Sequence, residues 1–140
     1  MTEHIKIERK DGILTLTFAR PDKKNALTNA MYGALADSLV AAETDPAARV
    51  TVMRGEGDMF TSGNDVGEFA AIAAGAAQGE RHVARFVRAL AQATRPLIAA
   101  VQGRAVGIGT TTRQKLIRSS DCSSKGANIR GGVSTHTLVA

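Results

Sequence analysis

At 140 residues the chain has the size of one domain, and 44% of it is hydrophobic, enough to form a core. No apolar run is long enough to span a membrane, and Met1-Thr2-Glu3-His4-Ile5-Lys6 lacks the apolar stretch of a signal peptide. The net charge of +5 is lopsided: residues 112–140 hold five Lys/Arg against one Asp, and residues 1–111 hold thirteen against twelve. The body is therefore near neutral, and its charge carries no nucleic-acid signal. A single cysteine, Cys122, excludes an internal disulfide framework and cannot by itself build a structural metal site. The cytosol is the expected compartment.

In chain order, Ile5 and Ile7 alternate with charged neighbours, Asp11-Gly12 supplies a turn, and Ile13, Leu14, Leu16 and Phe18 follow with Thr15 and Thr17 among them. Two such runs around an Asp-Gly pair predict a β-hairpin whose second strand is the more buried. Arg20-Pro21-Asp22-Lys23-Lys24-Asn25-Ala26-Leu27 is a loop by its Pro, Asp and Asn, with three cations close together. It reads either as a solvated loop or as the phosphate-facing edge of a ligand site. Thr28 is placed to cap a helix in which Met31, Leu35, Leu39 and Ala42 share one face, ending near Thr44-Asp45-Pro46. Val50-Thr51-Val52-Met53 then returns as a short strand, with a parallel crossover expected.

Residues 66–74 read as a helix and residues 73–79, rich in Ala and Gly, as a mobile loop. A firmer helix is expected over 80–93, with Val83, Phe86, Val87, Leu90 and Ala91 as its apolar stripe and His82 on the opposite, solvent-facing side. Arg95-Pro96 ends it, and Leu97-Ile98-Ala99-Ala100-Val101 has the length and apolarity of a buried strand. Another helix is expected to open near 107–111. From about residue 118 the apolar residues lose their period, which reads as a disordered or loosely docked tail.

Two stretches stand out. Met59-Phe60-Thr61-Ser62-Gly63-Asn64-Asp65-Val66 follows an apolar strand, turns at a glycine and enters a helix. Such a junction presents N–H groups without helical partners, which can hold a negative oxygen without spending a side-chain charge. Gly103-Arg104-Ala105-Val106-Gly107-Ile108-Gly109 repeats the arrangement. Taken singly, a glycine turn after a strand usually only changes direction. A dinucleotide fingerprint fails here, because Gly107-Ile108-Gly109 lacks the third glycine and no acidic residue stands about 20 positions later. A Walker loop fails for want of Gly-Lys-Ser/Thr. The pair of turns, together with the loop at 20–27, points to an oxyanion site with the N–H of Asn64 as one half and the second turn as the other.

These same three stretches resemble the enoyl-CoA hydratase/isomerase (crotonase) family. The loop at 20–27 is similar to the family's loop after its second strand. Phe60-Thr61-Ser62-Gly63-Asn64-Asp65-Val66 and Val101-Gln102-Gly103-Arg104-Ala105-Val106-Gly107-Ile108-Gly109 match its two glycine signatures in order and spacing. The resemblance covers about residues 3–112, the N-terminal portion of the family's domain. It implies an α/β fold, a crotonase-like spiral of ββα turns, here truncated. It implies an acyl-CoA thioester substrate, with no cofactor or metal beyond the coenzyme A that the substrate carries. It implies the main-chain amides of Asn64 and Ile108 as donors to the thioester oxygen. Coenzyme A would pass Ala26 and the segment Ser62, Gly63, Asp65 and Val66, with Lys24 or Lys23 facing its phosphates. A homo-oligomer is implied, with no nucleic acid and no membrane as partner.

The chain departs from the family in two ways. Hydratases of the family place a glutamate three residues beyond the second donor, where Thr111 stands here, and a threonine hydroxyl is a poor general base at neutral pH. No glutamate occurs after Glu80, and Asp121 is the only carboxylate side chain in the tail. Activity is therefore open between hydratase or isomerase chemistry and a catalytically inactive remnant that binds CoA thioesters or partner subunits without turnover. Residues 113–140 form a basic tail unlike the family, frame-shifted or disordered; a frame shift requires a continuing family sequence in another frame of the coding DNA. A nucleic-acid role for the tail is disfavoured by its lack of aromatic stacking residues. A shortened spiral exposes apolar surface, so self-association is expected in sedimentation velocity, and a monodisperse monomer would contradict it.

Overall fold

The computed structural model describes residues 3–75 and 80–109. Strand β1 (Ile5–Lys10) and strand β2 (Ile13–Phe18) form the expected hairpin around Asp11-Gly12, antiparallel with Ile7 opposite Leu16. Only Ile5 of β1 is buried, whereas Leu14, Leu16, Thr17 and Phe18 of β2 are, so the second strand is the buried one. Helix α1 (Asn29–Thr44) starts where the Thr28 hydroxyl accepts the N–H of Met31 at 3.3 Å. That bond satisfies one of the donors a helix start leaves open. Met31, Leu35, Leu39 and Ala42 are all buried, as their spacing predicts. Strand β3 (Val50–Gly55) returns parallel to β2, with Leu16 opposite Met53.

Helix α2 (Val66–Ala73) and helix α3 (His82–Gln92) form the next crossover, and strand β4 (Leu97–Ala100) lies parallel to β3. The sheet order is β1-β2-β3-β4. The helices α1 and α3 pack together, with the rings of Tyr32 and Phe86 5.6 Å apart. One core results, in which Leu14, Leu16, Phe18 and Met53 meet Met31, Leu35, Phe86 and Leu90.

Each of the strands β2, β3 and β4 is followed by a short extended piece of chain, and these pieces stack in the order of the strands. Leu27 bridges to Asn64 and Thr61 bridges to Ala105, both parallel. This second, smaller stack repeats the sheet order around a corner and is the turn of the spiral. Phe60 tucks between the stacks, fully buried, with its ring 5.1 Å from that of Phe18.

Three expectations are corrected. In α3 the buried positions are Phe86, Ala89 and Leu90, while Ala91 and Val87 are exposed. The helix meets α1 along a narrower line than the five-residue stripe suggested. His82 is not solvent-facing: its ring is half-buried over Gly33, whose missing Cβ leaves the room. Strand β4 is half-exposed rather than buried, because among the described residues it pairs only with β3. Of the loop expected at 73–79, Ala73 ends α2 and Ala74 and Gly75 form a turn; residues 76–79 lie outside the described residues, as does the tail. The helix expected near 107–111 begins at Ile108, and its continuation also lies outside them.

Leu35 is fully buried between sheet and helices, whereas Val40, on the same helix, is 60% exposed. Leu35→Ala is expected to lower the unfolding free energy in urea by about 3 kcal/mol. Val40→Ala should change it by less than about 0.5 kcal/mol.

Candidate functional site

The loop at 20–27 is held by a buried polar residue. Asn25 is fully buried with φ +53°. Its Nδ2 donates to the carbonyls of Glu56 at 2.8 Å and Met59 at 2.7 Å, and its Oδ1 accepts the N–H of Arg20 at 3.0 Å. Leaving such a group unpaired in the interior would be costly, so Asn25 locks this loop to the one after β3. The Asn25 carbonyl in turn accepts the hydroxyl of buried Thr61 at 2.7 Å, and that hydroxyl accepts the N–H of Gly63 at 3.1 Å.

The first glycine turn is pinned from both sides. The Gly63 carbonyl accepts the N–H of Leu27 at 2.8 Å, and the N–H of Asp65 donates to the Leu27 carbonyl at 2.9 Å. These bonds flank Asn64, so its own N–H, trans to the Gly63 carbonyl, faces away from Leu27. Among the described residues no acceptor is recorded for it. Gly63 has φ +93°, a left-handed conformation that favours glycine, and a Cβ there would stand 3.3 Å from the Val106 carbonyl oxygen.

The second glycine turn lies directly against the first. Val106 N–H donates to the Thr61 carbonyl at 3.0 Å, and Thr61 N–H to the Arg104 carbonyl at 3.3 Å. A Cβ on Gly107 would lie 3.7 Å from the Cα of Gly63. At Gly103, with φ +60°, any Cβ would overlap the carbonyl oxygen of Asp58. The two turns thus approach backbone to backbone, and the left-handed φ of Gly63 and Gly107 favours glycine at both.

Most of the residues singled out in the sequence fall on this strip. Ser62 N–H donates to the Lys24 carbonyl at 3.0 Å, and Ala26 is half-buried with its N–H on the Lys23 carbonyl at 3.0 Å. Gly63, Asn64 and Asp65 run alongside Leu27. Val66 opens α2 and is 80% exposed, which leaves a bare apolar group beside the turn. Ile108 starts a helical stretch just past Gly107, its side chain half-buried against the core. The three cations do not act together. Lys23 and Lys24 are exposed, whereas Arg20 turns inward to the Asp65 carboxylate at 2.5 Å and the Ala26 carbonyl at 3.2 Å.

Asp65 therefore acts as a cap and an anchor. Its carboxylate accepts the Glu68 N–H at 3.1 Å at the start of α2, and the hydrogen bond from Arg20 holds its pKa below the usual carboxylate range. Glu68, in the first turn of α2, reaches across to accept the N–H of Asn29 at 2.6 Å, the first residue of α1. It answers the positive end of the neighbouring helix. One contact escaped the sequence reading: the Tyr32 hydroxyl donates to Asn64 Oδ1 at 2.5 Å. Tyr32 is the only tyrosine, buried on α1, and a buried phenol needs a partner; that requirement was legible, its identity 32 residues away was not. Burial, then the Glu68 charge, push the Tyr32 pKa up, so the phenol stays protonated. Among the described residues no group of three or more His, Cys, Asp or Glu could hold a metal ion, and no helix is long and apolar enough to cross a membrane.

A sheet-and-helix spiral with two glycine turns laid together is the N-terminal architecture of crotonase folds. The model of the enoyl-CoA hydratase/isomerase family matches residues 8–113, and the chain belongs to that family. It is 39% identical over 111 residues to enoyl-CoA delta isomerase 2 of Rattus norvegicus, covering 76% of this chain and 28% of that protein. With 2,3-dehydroadipyl-CoA hydratase of Escherichia coli it shares 35% identity over 132 residues, 94% of this chain and 50% of the relative. The solved structure of Pseudomonas aeruginosa OdaA superposes with a TM-score of 0.73 at 47% identity, covering 81% of this chain and 45% of that one. The chain thus spans from about a quarter to half the length of these relatives.

The Asp65 pKa is depressed in the folded state, so its contribution to stability is present above the unfolded value of about 3.9 and drains away as pH falls through the lower folded value. Urea midpoints should therefore fall between about pH 5 and pH 2 in the wild type, and less steeply in Asp65→Asn, which starts from a lower plateau.

Proposed function

We propose that this chain binds an acyl-CoA thioester and stabilises its enolate through the main-chain amides of Asn64 and Ile108. The observation that supports this most is the pinned Gly63–Asn64 peptide. Its carbonyl is consumed by Leu27, and its N–H is turned away from that segment, with the second glycine turn packed on Gly63. A donor that is fixed before substrate arrives needs no reorganisation when charge develops on the thioester oxygen. Each such amide is worth on the order of 3 kcal/mol in the transition state. Main-chain donors also explain how Asn64 and Ile108 can carry side chains unrelated to the chemistry.

Around the donors, exposed Lys24 and Lys23 would face the phosphates of coenzyme A, the backbone of Ala26, Ser62 and Gly63 would line its path, and exposed Val66 would meet an apolar part of the ligand. Asp65 would serve by holding the turn, since its carboxylate is occupied by Arg20 and the start of α2. Coenzyme A enters as part of the substrate, and no separate cofactor is invoked. The activity class is that of the family, hydration or isomerisation of an enoyl-CoA, in a cytoplasmic homo-oligomer.

A second reading is favoured by a specific observation: Thr111 stands where hydratases of the family carry a glutamate, and no glutamate follows Glu80. On this reading the chain binds CoA thioesters or partner subunits without turnover. A short enoyl-CoA separates the two. Loss of its ultraviolet absorbance with the full chain supports catalysis; calorimetric binding without that loss supports the non-catalytic reading; absence of binding overturns the first reading and the thioester-binding form of the second. The double variant Lys23→Ala/Lys24→Ala should weaken binding about threefold to tenfold, with the difference shrinking as salt is raised.

A further inference from the structure

We propose that Tyr32 is a positioning residue for the Asn64 amide: by holding Asn64 Oδ1, its hydroxyl keeps that side chain from folding back onto the turn and occupying the donor. The inference rests on the acyl-CoA reading above. Asparagine side chains readily hydrogen-bond to nearby backbone N–H groups, and this competes with any outside acceptor. An asparagine at a position whose main-chain N–H must stay open is therefore a liability, unless its own oxygen is engaged elsewhere.

The structure supplies that engagement. Asn64 is exposed, yet its Oδ1 is held at 2.5 Å by a hydroxyl whose residue is 2% exposed. Tyr32 has little freedom to release it. Its ring is packed against Phe86 on α3, and it sits one turn into α1, whose first N–H is tied to Glu68 of α2. Burial and the nearby Glu68 carboxylate keep the phenol protonated, so it remains a donor to an amide oxygen across the physiological range. The Asn64 peptide is thus restrained at two points, by Leu27 on the main chain and by Tyr32 on the side chain.

The test compares a short acyl-CoA thioester with the corresponding S-alkyl thioether of coenzyme A, which lacks the carbonyl oxygen, by calorimetry on the full chain. Tyr32→Phe keeps the ring and removes only the hydroxyl. It should weaken thioester binding roughly fivefold and leave thioether binding unchanged. In an Asn64→Ala background, where there is no Oδ1 to restrain, Tyr32→Phe should have no further effect on the thioester. A merely structural role for the hydroxyl would weaken both ligands alike, which overturns the proposal. So would a Tyr32→Phe variant with the wild-type preference for thioester over thioether, or an undiminished effect in the Asn64→Ala background. If the wild type itself shows no preference for the thioester, the oxyanion reading falls, and this inference falls with it.

Discussion

The structure depends on the stacking of three short extended segments, one after each of β2, β3 and β4. A hydrogen bond between Leu27 N–H and the Gly63 carbonyl, and another between Val106 N–H and the Thr61 carbonyl, set the height and direction of each segment relative to the next. The main sheet alone could not do this. Its strands end at Phe18, Gly55 and Ala100, and the chain beyond them would be free to wander. Once the segments stack, the glycine turns that follow the second and third of them are carried to the same place. The candidate site is in this sense a by-product of the spiral's own pairing.

The polar groups around the strip work to keep that pairing in register. Asn25 closes the first loop onto the second through its side chain, and Thr61 ties the second segment to both the first and its own turn. Arg20 and Asp65 form a largely shielded pair that fastens the loop before α1 to the start of α2. Glu68 then links the two helix starts. The result is a frame in which the carboxylates and the guanidinium near the turn serve the backbone. What is left in solvent beside the turn includes the exposed lysines of the first loop and the apolar Val66.

The obstacles to a Cβ in the glycine turns differ from one position to the next. At Gly103 the obstacle is a neighbouring carbonyl oxygen; at Gly63 it is both the left-handed backbone and the Val106 carbonyl. Beside them, the Tyr32 hydroxyl holds the Asn64 side chain at Oδ1.

The local pattern of the chain was enough to place the hairpin, the Thr28 cap, the buried face of α1, the parallel return of β3 and the glycine junctions. Most of these arise from contacts between near neighbours or from a period that one element imposes on itself, and the parallel return of β3 follows from the crossover through α1. Family membership was also legible, because three motifs kept their order and spacing. The burial of Asn25, the inward turn of Arg20 to Asp65, the reach of Glu68 to α1 and the pairing of Tyr32 with Asn64 were decided only by tertiary structure. Each joins residues about 30 to 45 positions apart through one or two polar contacts, and so few contacts leave no period behind them. The half-exposure of β4 and of the outer residues of α3 belongs with them, since apolarity reports what a residue can bury, while coverage by neighbours decides what it does.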